Sequence, residues 1–205
     1  MCGIYGYFHR HKQQLAPAIL EKMGASIFHR GPDDGGLFVG DGVALGNRRL
    51  SIIDIEGGKQ PFYSEDGNIV VVQNGEIYNY LELADELKSE GVFCQTNSDT
   101  EVILRLYERH GMSFISKLNG MFSISIYDKR QDALYLIRDR LGVKPLYYYD
   151  DGDLFVFASE IKSILKADVP RQVDVQALNS YLTFNYVLPP STLFQGIYHV
   201  LPGSY

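Results

Sequence analysis

The amino-acid sequence predicts an α+β fold in which β-sheets pack face to face and helices cover them on the outside. The predicted elements follow the order of one strand, one helix, several strands, two helices and a long run of strands, without the regular alternation of a doubly wound sheet. The 205 residues include 15 Tyr and 11 Phe but no Trp, and aromatic residues are enriched in strands. Hydrophobic residues make up 45% of the chain, which suffices for a buried core.

The first half of the chain begins with a predicted strand at residues 2–8. In residues 13–28, apolar side chains recur every four positions, which predicts a helix, and Pro17 fits this helix only in its first turn. The segment 29–36 is rich in turn-forming residues and predicts a loop. Further strands are predicted at 37–39, 43–49 and 69–73.

Two helices are predicted in the middle of the chain. The first covers 78–90, and the second begins at a capping box in the segment 98–101 and ends at Gly111. Apolar and polar residues alternate in 120–128, which predicts a half-buried strand. The remaining predictions are strands at 133–138, 146–149 and 154–158, a hairpin turn at 150–153 and a short helix near 175–183.

Charge and composition argue against several classes of partner. The formal net charge is -6, and no run of Lys or Arg exceeds two residues, so nucleic acid and anionic membranes are not predicted as partners. The chain has no apolar stretch of membrane-spanning length and no charged-then-apolar segment typical of a signal peptide. We therefore predict a cytoplasmic protein.

The cysteines and histidines form no metal-binding pattern. Cys2 and Cys94 lie far apart without CxxC spacing, so neither a zinc site nor a disulfide framework is predicted, and Cys94 is expected to pack in the core. The five histidines lack the spacing of metal ligands. No GxGxxG or GxxxxGK[ST] loop is present, so the sequence predicts neither a metal nor a nucleotide site.

Cys2 is the candidate nucleophile, because only the initiator Met1 precedes it. Methionine is removed in cells when the next side chain is small. Removal of Met1 would leave a thiol and a free α-amine on one residue, with pKa values near ~8.5 and ~7.7–8.0, so the two groups can exchange a proton at neutral pH. Cys2 would then be a nucleophile with its own base. If Met1 is retained, the amine is a peptide nitrogen and cannot act as a base.

Asn74 and Gly75 are candidates for an oxyanion hole. Attack of a thiolate on an amide creates an oxyanion that needs rigid hydrogen-bond donors. The side-chain amide of Asn74 and the backbone N–H of Gly75, directly after a predicted buried strand, could supply them. An Asn-Gly pair is also typical of a β-hairpin, but the following residues favour the start of a helix over a returning strand.

Arg49 and Asp99 are candidates for binding an amino acid. The guanidinium of Arg49 suits a carboxylate, and Asp99, in the first turn of a predicted helix, suits an α-ammonium group. The alternatives are a surface arginine, which is the interpretation of Arg48, and a helix-dipole or capping role for Asp99. If the two converge, they would recognise an amino-acid zwitterion.

Eight motifs follow one another along nearly the whole chain: M-C-G-I-Y-G, H-R-G-P-D-D, R-L-S-I-I-D, N-G-E-I-Y-N, S-D-T-E-V-I-L, L-N-G-M-F-S, R-D-R-L-G-V-K-P-L-Y-Y and F-A-S-E-I-K. Taken together and in this order, they resemble the glutaminase domain of class II glutamine amidotransferases. The resemblance is strongest to the glutamine-dependent asparagine synthetase family. It implies an N-terminal-nucleophile (Ntn) hydrolase fold, a four-layer αββα sandwich of two antiparallel sheets.

The resemblance also implies a reaction and a set of site residues. Cys2 would attack the carboxamide of L-glutamine and form a γ-glutamyl thioester, which water hydrolyses to glutamate. Asn74 and Gly75 match the oxyanion hole, Arg49 the group that binds the glutamine carboxylate, and Asp99 a group near the α-amine. The full glutamine site that the resemblance implies comprises Arg49, Leu50, Ser51, Ile52, Ile53, Asn74, Gly75, Glu76 and Asp99.

The resemblance further implies a second domain. In this family a C-terminal synthetase domain of the same polypeptide binds ATP and Mg through an S-G-G-[LV]-D-S loop, which this chain lacks. We therefore expect a glutaminase domain at 1–190, the start of a connection at 191–205, and no cofactor in this domain. Ammonia would pass to an acceptor, with aspartate expected and a sugar or a peptide as alternatives, in a possible homodimer.

Two alternatives to a glutaminase stay open at this stage. One is an Ntn hydrolase that cleaves another amide. The other is a non-catalytic glutamine-binding domain, if Met1 is retained. The segment 138–145 receives no role from the sequence.

Overall fold

The computed structural model describes residues 1–205 as two antiparallel sheets with helices on their outer faces. The strands are β1 (Gly3–His9), β2 (Asp34–Gly40), β3 (Val43–Arg49), β4 (Phe62–Tyr63), β5 (Ile69–Ile77), β6 (Gly120–Asp128), β7 (Ala133–Arg138), β8 (Tyr147–Asp150), β9 (Leu154–Ala158) and β10 (Ile197–His199). The helices are α1 (Pro17–Ser26), α2 (Tyr80–Ser89), α3 (Asp99–His110), α4 (Ile161–Ile164) and α5 (Val175–Phe184). None of these helices is both long enough and apolar enough to span a membrane.

The strand order places the N-terminus at the centre of the first sheet. That sheet runs β10-β8-β9-β1-β3-β2, and the second runs β4-β5-β6-β7. β1 lies between β9 and β3, and Gly3 is opposite Arg48. Because the strands are antiparallel, this register brings Cys2 to the end of β3, beside Arg49.

Three apolar clusters fill the spaces between four layers. They lie between the first sheet and α1 with α4, between the two sheets, and between the second sheet and α2 with α3. Neighbouring residues of one strand belong to different clusters because successive side chains point to opposite faces of a sheet. Examples from the three clusters in turn are Tyr5 and Met23, Ile4 and Val70, and Val71 and Ile103. The layers therefore follow the order αββα.

Several sequence predictions are confirmed with small shifts at the ends. The helix predicted at 13–28 is shorter, and Pro17 is its first residue, where a missing N–H costs nothing. The strands predicted at 43–49, 120–128, 133–138 and 154–158 have the predicted bounds. Gly111, with φ of 56°, ends α3.

Other predictions are wrong in informative ways. The strand predicted at 69–73 continues to Ile77, so Asn74 and Gly75 lie inside β5 and not in a hairpin. The strand at 120–128 is not half-buried, because Ser123 and Ser125 face the other sheet and are fully buried. The short elements β4, α4 and β10 were not predicted.

The predicted capping box at the start of α3 is half right. Ser98 is the N-cap residue, and its hydroxyl accepts the N–H of Thr100 at 3.3 Å. Glu101 does not reach back to Ser98. Its carboxylate instead accepts the backbone N–H groups of Gln95 and Thr96 at 2.9 and 2.7 Å, so it holds the approach to the helix.

The segment 138–145 has a structural role that the sequence did not reveal. Asp139 is almost fully buried, and its carboxylate accepts four backbone N–H groups, from Phe122, Leu141, Val143 and Lys144. The guanidinium of Arg138 donates to the carbonyls of Lys144, Gly142 and Val200. The two side chains thus fasten the turn to β6 and to the C-terminal segment.

Residues 191–205 pack against the rest of the chain. β10 pairs with β8, and the N–H groups of Val200 and Gly203 donate to the carbonyls of Leu146 and Asp139. The domain boundary expected near residue 190 stays a prediction, because no break in packing marks it.

Candidate active site

A small cavity of about 40 Å³ lies where the ends of β1 and β3 meet β5 and the N-terminus of α3. Eight of the ten predicted site residues line it, and four further residues complete its wall. The predicted members are Cys2, Arg49, Leu50, Ile52, Ile53, Gly75, Glu76 and Asp99, and the additional ones are Gly58, Gln60, Ser98 and Thr100. Asn74 and Ser51 are neighbours of lining residues in the sequence, but they do not line the cavity themselves.

A larger, mostly apolar cavity of about 410 Å³ lies elsewhere, between β7, β8 and residues 199–205. It contains neither a cysteine nor a carboxylate. The smaller cavity, which Cys2 and two carboxylate side chains line, is therefore the candidate active site.

Cys2 is held from two sides. Its Sγ lies 3.4 Å from the backbone N and 3.5 Å from the backbone O of Leu50. Its own carbonyl accepts a hydrogen bond from Nε of Arg30 at 2.8 Å. Met1 projects outward and is 61% exposed, so the bond that must be cleaved to free the α-amine is accessible.

Arg30 is a residue that sequence reasoning missed, and its position depends on Glu160. One guanidinium nitrogen of Arg30 donates to Glu160 Oε1 at 3.0 Å, and His29 and Lys162 contact the same carboxylate at 2.9 Å. Burial alone would raise the pKa of Glu160, but hydrogen bonds from Lys162, Arg30 and His29 lower it to about 2. Glu160 is therefore ionised at neutral pH and anchors Arg30 against the main chain of Cys2.

Beyond its short pairing with β4, β5 has a free edge, and the N–H of Gly75 is directed from this edge toward the cavity. The N–H of Gln73 points away from β6 and donates to Gln60 Oε1 at 2.7 Å. The N–H of Ile77 points the same way and donates to Asp99 Oδ2 at 3.0 Å. Alternate residues of a strand direct their N–H groups to the same edge, so the N–H of Gly75, midway between them, also points there. A side chain at this position would lie 2.1 Å from the carbonyl of Met121, so only glycine fits.

Asn74 is fully buried on the face of β5 that meets the first sheet. Its Nδ2 lies 3.5 Å from Ser123 Oγ, at the limit of a hydrogen bond, and its Oδ1 has no partner. The side-chain amide is thus almost unused by the protein, which leaves its hydrogen-bonding capacity free.

Arg49 is buried, so its interpretation as a surface arginine is wrong. Its guanidinium donates to the carbonyls of Ile53, Asp54 and Ile55 at 2.7–3.0 Å. These bonds shape the loop after β3 while the side chain lines the cavity. Arg48, which the sequence suggested to be a surface arginine, is not a free side chain either. Its Nε donates a hydrogen bond to the carbonyl of Gly24.

Asp99 is the first residue of α3 and is only 5% exposed. It is not the capping residue, since Ser98 has that role. Its Oδ2 accepts the N–H of Ile77 and Nε2 of Gln73, both at 3.0 Å. Burial raises the pKa of Asp99, and the nearby charge of Glu76 raises it further. No basic side chain contacts this carboxylate, which therefore lacks a cation.

The additional lining residues carried weak sequence signals. Gln60 lies in a loop without regular pattern, and Thr100 was interpreted as a helix residue. Both are positioned by contacts between distant segments, such as the bond of 3.2 Å from Gln60 Nε2 to Thr100 Oγ1.

Comparison with known proteins gives the family of the chain. A family model described as a glutamine amidotransferase domain matches residues 1–205. The chain belongs to this family. The match extends over the whole length of the chain, and it confirms the resemblance inferred from the motifs.

The relatives of this amidotransferase domain are longer proteins. It is 44% identical over 207 residues to asparagine synthetase [glutamine-hydrolyzing] 1 of Bacillus subtilis, covering all of this chain and 33% of the relative. It is 40% identical over 186 residues to asparagine synthetase B [glutamine-hydrolyzing] of Escherichia coli, covering 89% of this chain and 33% of the relative. The chain thus spans about a third of the length of these curated relatives.

A solved structure confirms the predicted fold. Glutamine phosphoribosylpyrophosphate amidotransferase from B. subtilis superposes with a TM-score of 0.69 at 24% identity, covering 84% of this chain and 45% of that one. The four-layer sandwich is the fold of Ntn amidotransferases.

Proposed function

We propose that this domain, once Met1 is removed, hydrolyses L-glutamine to L-glutamate and ammonia, with Cys2 as the nucleophile. The observation that carries the proposal is the cavity itself, where the thiol of Cys2, the N–H of Gly75 and the carboxylate of Asp99 converge. A thiol, an oxyanion donor and an acceptor for an ammonium group are what cleavage of an amino-acid amide requires.

The reaction needs two steps at the carboxamide carbon. In the first, Cys2 Sγ forms a bond to that carbon while the thiol proton passes to the free α-amine of Cys2. The oxyanion is stabilised by the N–H of Gly75 and by the side chain of Asn74. The C–N bond then breaks, and the α-ammonium returns its proton to the leaving nitrogen, which departs as ammonia. In the second step, water adds to the thioester carbon while the α-amine of Cys2 takes one of its protons. The C–S bond then breaks, the proton returns to Sγ, and glutamate is released.

The two ends of glutamine would bind to opposite charges. Arg49 and the backbone of Leu50, Ser51, Ile52 and Ile53 form the proposed site of the α-carboxylate. Asp99, together with Glu76, forms the proposed site of the α-ammonium group. The cost of burying the charges of Arg49 and Asp99 is compensated only if the substrate carries both a carboxylate and an ammonium group. The site should therefore favour a zwitterionic amino-acid amide over a simple amide.

We propose that hydrolysis feeds a C-terminal synthetase domain of the same polypeptide, with aspartate as the ammonia acceptor. The length and names of the relatives support this proposal. So does an exposed apolar surface on α5 and the segment after it, since surfaces of this kind are typical of interfaces. Its members are Val175, Leu182, Phe184, Tyr186 and Leu188, which are 56–75% exposed.

The steps proposed for this domain use only its own side chains and water. We therefore place the expected ATP and Mg in the synthetase domain and no cofactor or metal in this one. We also propose, on the acidic charge of the chain, that it contacts neither nucleic acid nor membrane. A cytoplasmic location and a homodimer stay predictions.

The test combines intact mass with product analysis. Protein that lacks Met1 should form glutamate and ammonia from glutamine, and Cys2→Ala should abolish turnover while glutamine still binds. Cys94→Ala is the matched control, because Cys94 packs against the core and burial raises the pKa of its thiol. It should retain activity. If Met1 is retained, treatment with methionine aminopeptidase should switch activity on, and protein that lacks Met1 but does not hydrolyse glutamine would contradict the proposal.

A further inference from the structure

A buried chain of polar side chains lies directly behind the cavity. It runs from Gln60 through Thr100 and Gln73 to Asp99 and connects β5, α3 and the segment before β4. Among its members Gln73 does not line the cavity and is only 1% exposed. The proposed reaction assigns no role to Gln73, although a buried polar side chain requires partners.

Gln73 has both ends of its side-chain amide occupied. Nε2 donates to Asp99 Oδ2 at 3.0 Å, and Oε1 accepts the hydroxyl of Thr100 at 3.1 Å. The orientation of the amide is fixed chemically, because an ionised carboxylate can only accept and therefore needs the NH₂ group opposite it. Thr100 in turn accepts Nε2 of Gln60 at 3.2 Å, so its hydroxyl must donate to Gln73.

The bond from Gln73 determines which oxygen of Asp99 remains available. The donors from Gln73 Nε2 and from the backbone N–H of Ile77 fall on Oδ2. The backbone N–H of Thr100 also interacts with the carboxylate. Gln73 is the one side chain that donates to it, so its bond helps to fix the plane of the group and leaves Oδ1, which no side chain contacts, for a ligand of the cavity that Asp99 lines. Without Gln73, only backbone donors would hold the group and it could rotate.

We propose that Gln73 is a positioning residue that orients Asp99 toward the α-ammonium group of the substrate, and that it thereby makes the site selective for α-amino amides. This inference rests on the proposed glutaminase function and refines its specificity. Gln73 touches neither the substrate nor the reacting atoms and acts through Asp99.

The first experiment separates recognition of the α-amine from all other effects. Gln73→Met removes both hydrogen bonds at nearly constant volume. With glutamine, KM should rise about tenfold to a hundredfold, the range for one lost hydrogen bond to a charged group, with kcat little changed. With glutaramate, which is glutamine without its α-amino group, kcat/KM measured well below saturation should equal that of the parent chain. A variant that is merely damaged would lose activity on both substrates.

The chain offers a matched control in Gln131. Its Nε2 also donates to a buried aspartate, Asp128, at 3.1 Å, but far from the cavity. Gln131→Met should leave KM for glutamine unchanged, so a general effect of losing a glutamine–aspartate bond is excluded.

The second experiment uses Gln73→Glu, because a protonated carboxyl group can imitate the amide. Its O–H would donate to Asp99 and its other oxygen would accept from Thr100. Two carboxylates this close share a proton up to a raised pH. The ratio of kcat/KM between variant and parent chain should therefore be near one at about pH 5 and fall as the pH rises to about 8.

The other groups that face Asp99 are the same in variant and parent chain, so they cancel in this ratio. They are Cys2 on β1, Arg49 on β3 and Glu76 on β5, all of which line the cavity. Gln73→Met should show no such dependence on pH.

The outcomes distinguish this inference from the function on which it rests. If the parent chain without Met1 does not hydrolyse glutamine, the proposed function fails. If it does, an unchanged KM in Gln73→Met, or an equal loss on glutamine and glutaramate, overturns the role of Gln73 alone. A pH-independent ratio for Gln73→Glu would overturn it as well.

Discussion

Two buried aspartates beside α3 have nearly the same surroundings but opposite electrostatics. Asp99 is at the N-terminus of the helix, and Asp128 lies at the end of β6, where it accepts the hydroxyl of Tyr107 from the same helix. Both are at most 5% exposed, and each accepts a hydrogen bond from a glutamine amide. The comparison therefore turns on the charged partner that only one of them has.

That partner is a cation. Arg130 donates three bonds to Asp128, from its backbone N and from two guanidinium nitrogens at 2.6 and 2.9 Å, and these bonds hold the pKa of Asp128 below its usual range. Asp99 has no such partner, and burial raises its pKa. A buried carboxylate without a cation is costly for folding, and its presence at a cavity supports the proposal that a cationic group of the substrate binds there.

The strongest test of the comparison is Asp128→Asn. The amide would place an NH₂ group against donors from Arg130 and Tyr107, and the charge-assisted bonds would be lost. We expect the free energy of unfolding to fall by about 3 kcal/mol, measured by urea denaturation. Glutamine KM should not change in the folded fraction. A loss of stability under about 0.5 kcal/mol would mean that Asp128 is not a structural anchor.

Asp99→Asn should weaken the binding of glutamine, by about 1.5–3 kcal/mol, without the loss of folding stability expected for Asp128→Asn. The amide oxygen can still accept from Ile77 and Gln73, but it has no charge to offer an α-ammonium group. KM for glutamine should therefore rise about tenfold to a hundredfold in steady-state kinetics. Glutaramate, which lacks the ammonium group, should be hydrolysed as well by the variant as by the parent chain. An unchanged KM would remove Asp99 from the glutamine site.

The fold was predictable from the sequence where local pattern determines structure. Alternation and helical spacing located most elements, and Gly111 and Pro17 marked helix ends correctly. The end of β5 was not predictable, because Asn74-Gly75 is locally typical of a turn and only pairing with β6, Gly75 opposite Phe122, extends the strand. The burial of Ser123 was missed for the same kind of reason, since β1 and β3 of the first sheet, which covers it, are distant in sequence.

Site residues were predictable where their type or their position in the chain is distinctive. They were not predictable where their role depends on contacts with residues distant in sequence. Cys2 stands out by its position in the chain, and Asp99 by its charge at a helix start. Gln73 and Arg30 carry no such local signal. Their partners lie 26 and 130 residues away, so only the folded chain shows that they orient the two ends of the site.

The smallest expected effect is the dependence of stability on pH, which should have opposite signs at the two aspartates. The folded pKa of Asp128 is lowered, so its contribution to stability is present above the unfolded value near ~3.9 and is lost as the pH falls through the folded value. The folded pKa of Asp99 is raised, so its contribution is present below ~3.9 and is lost as the pH rises through the folded value.

Urea denaturation from about pH 7 to about pH 2 measures this contrast directly. The deficit of Asp128→Asn should stay constant down to about pH 4 and shrink below it. Asp99→Asn should match or exceed the parent chain at about pH 7, by up to ~1 kcal/mol, and this advantage should vanish at low pH. Saturating glutamine should reverse the order at about pH 7, because its α-ammonium group supplies the cation that Asp99 lacks and stabilises the parent chain more than the variant, which binds glutamine more weakly. If Asp99→Asn were less stable than the parent chain without glutamine, the carboxylate would be a structural element like Asp128, and the contrast between the two sites would collapse.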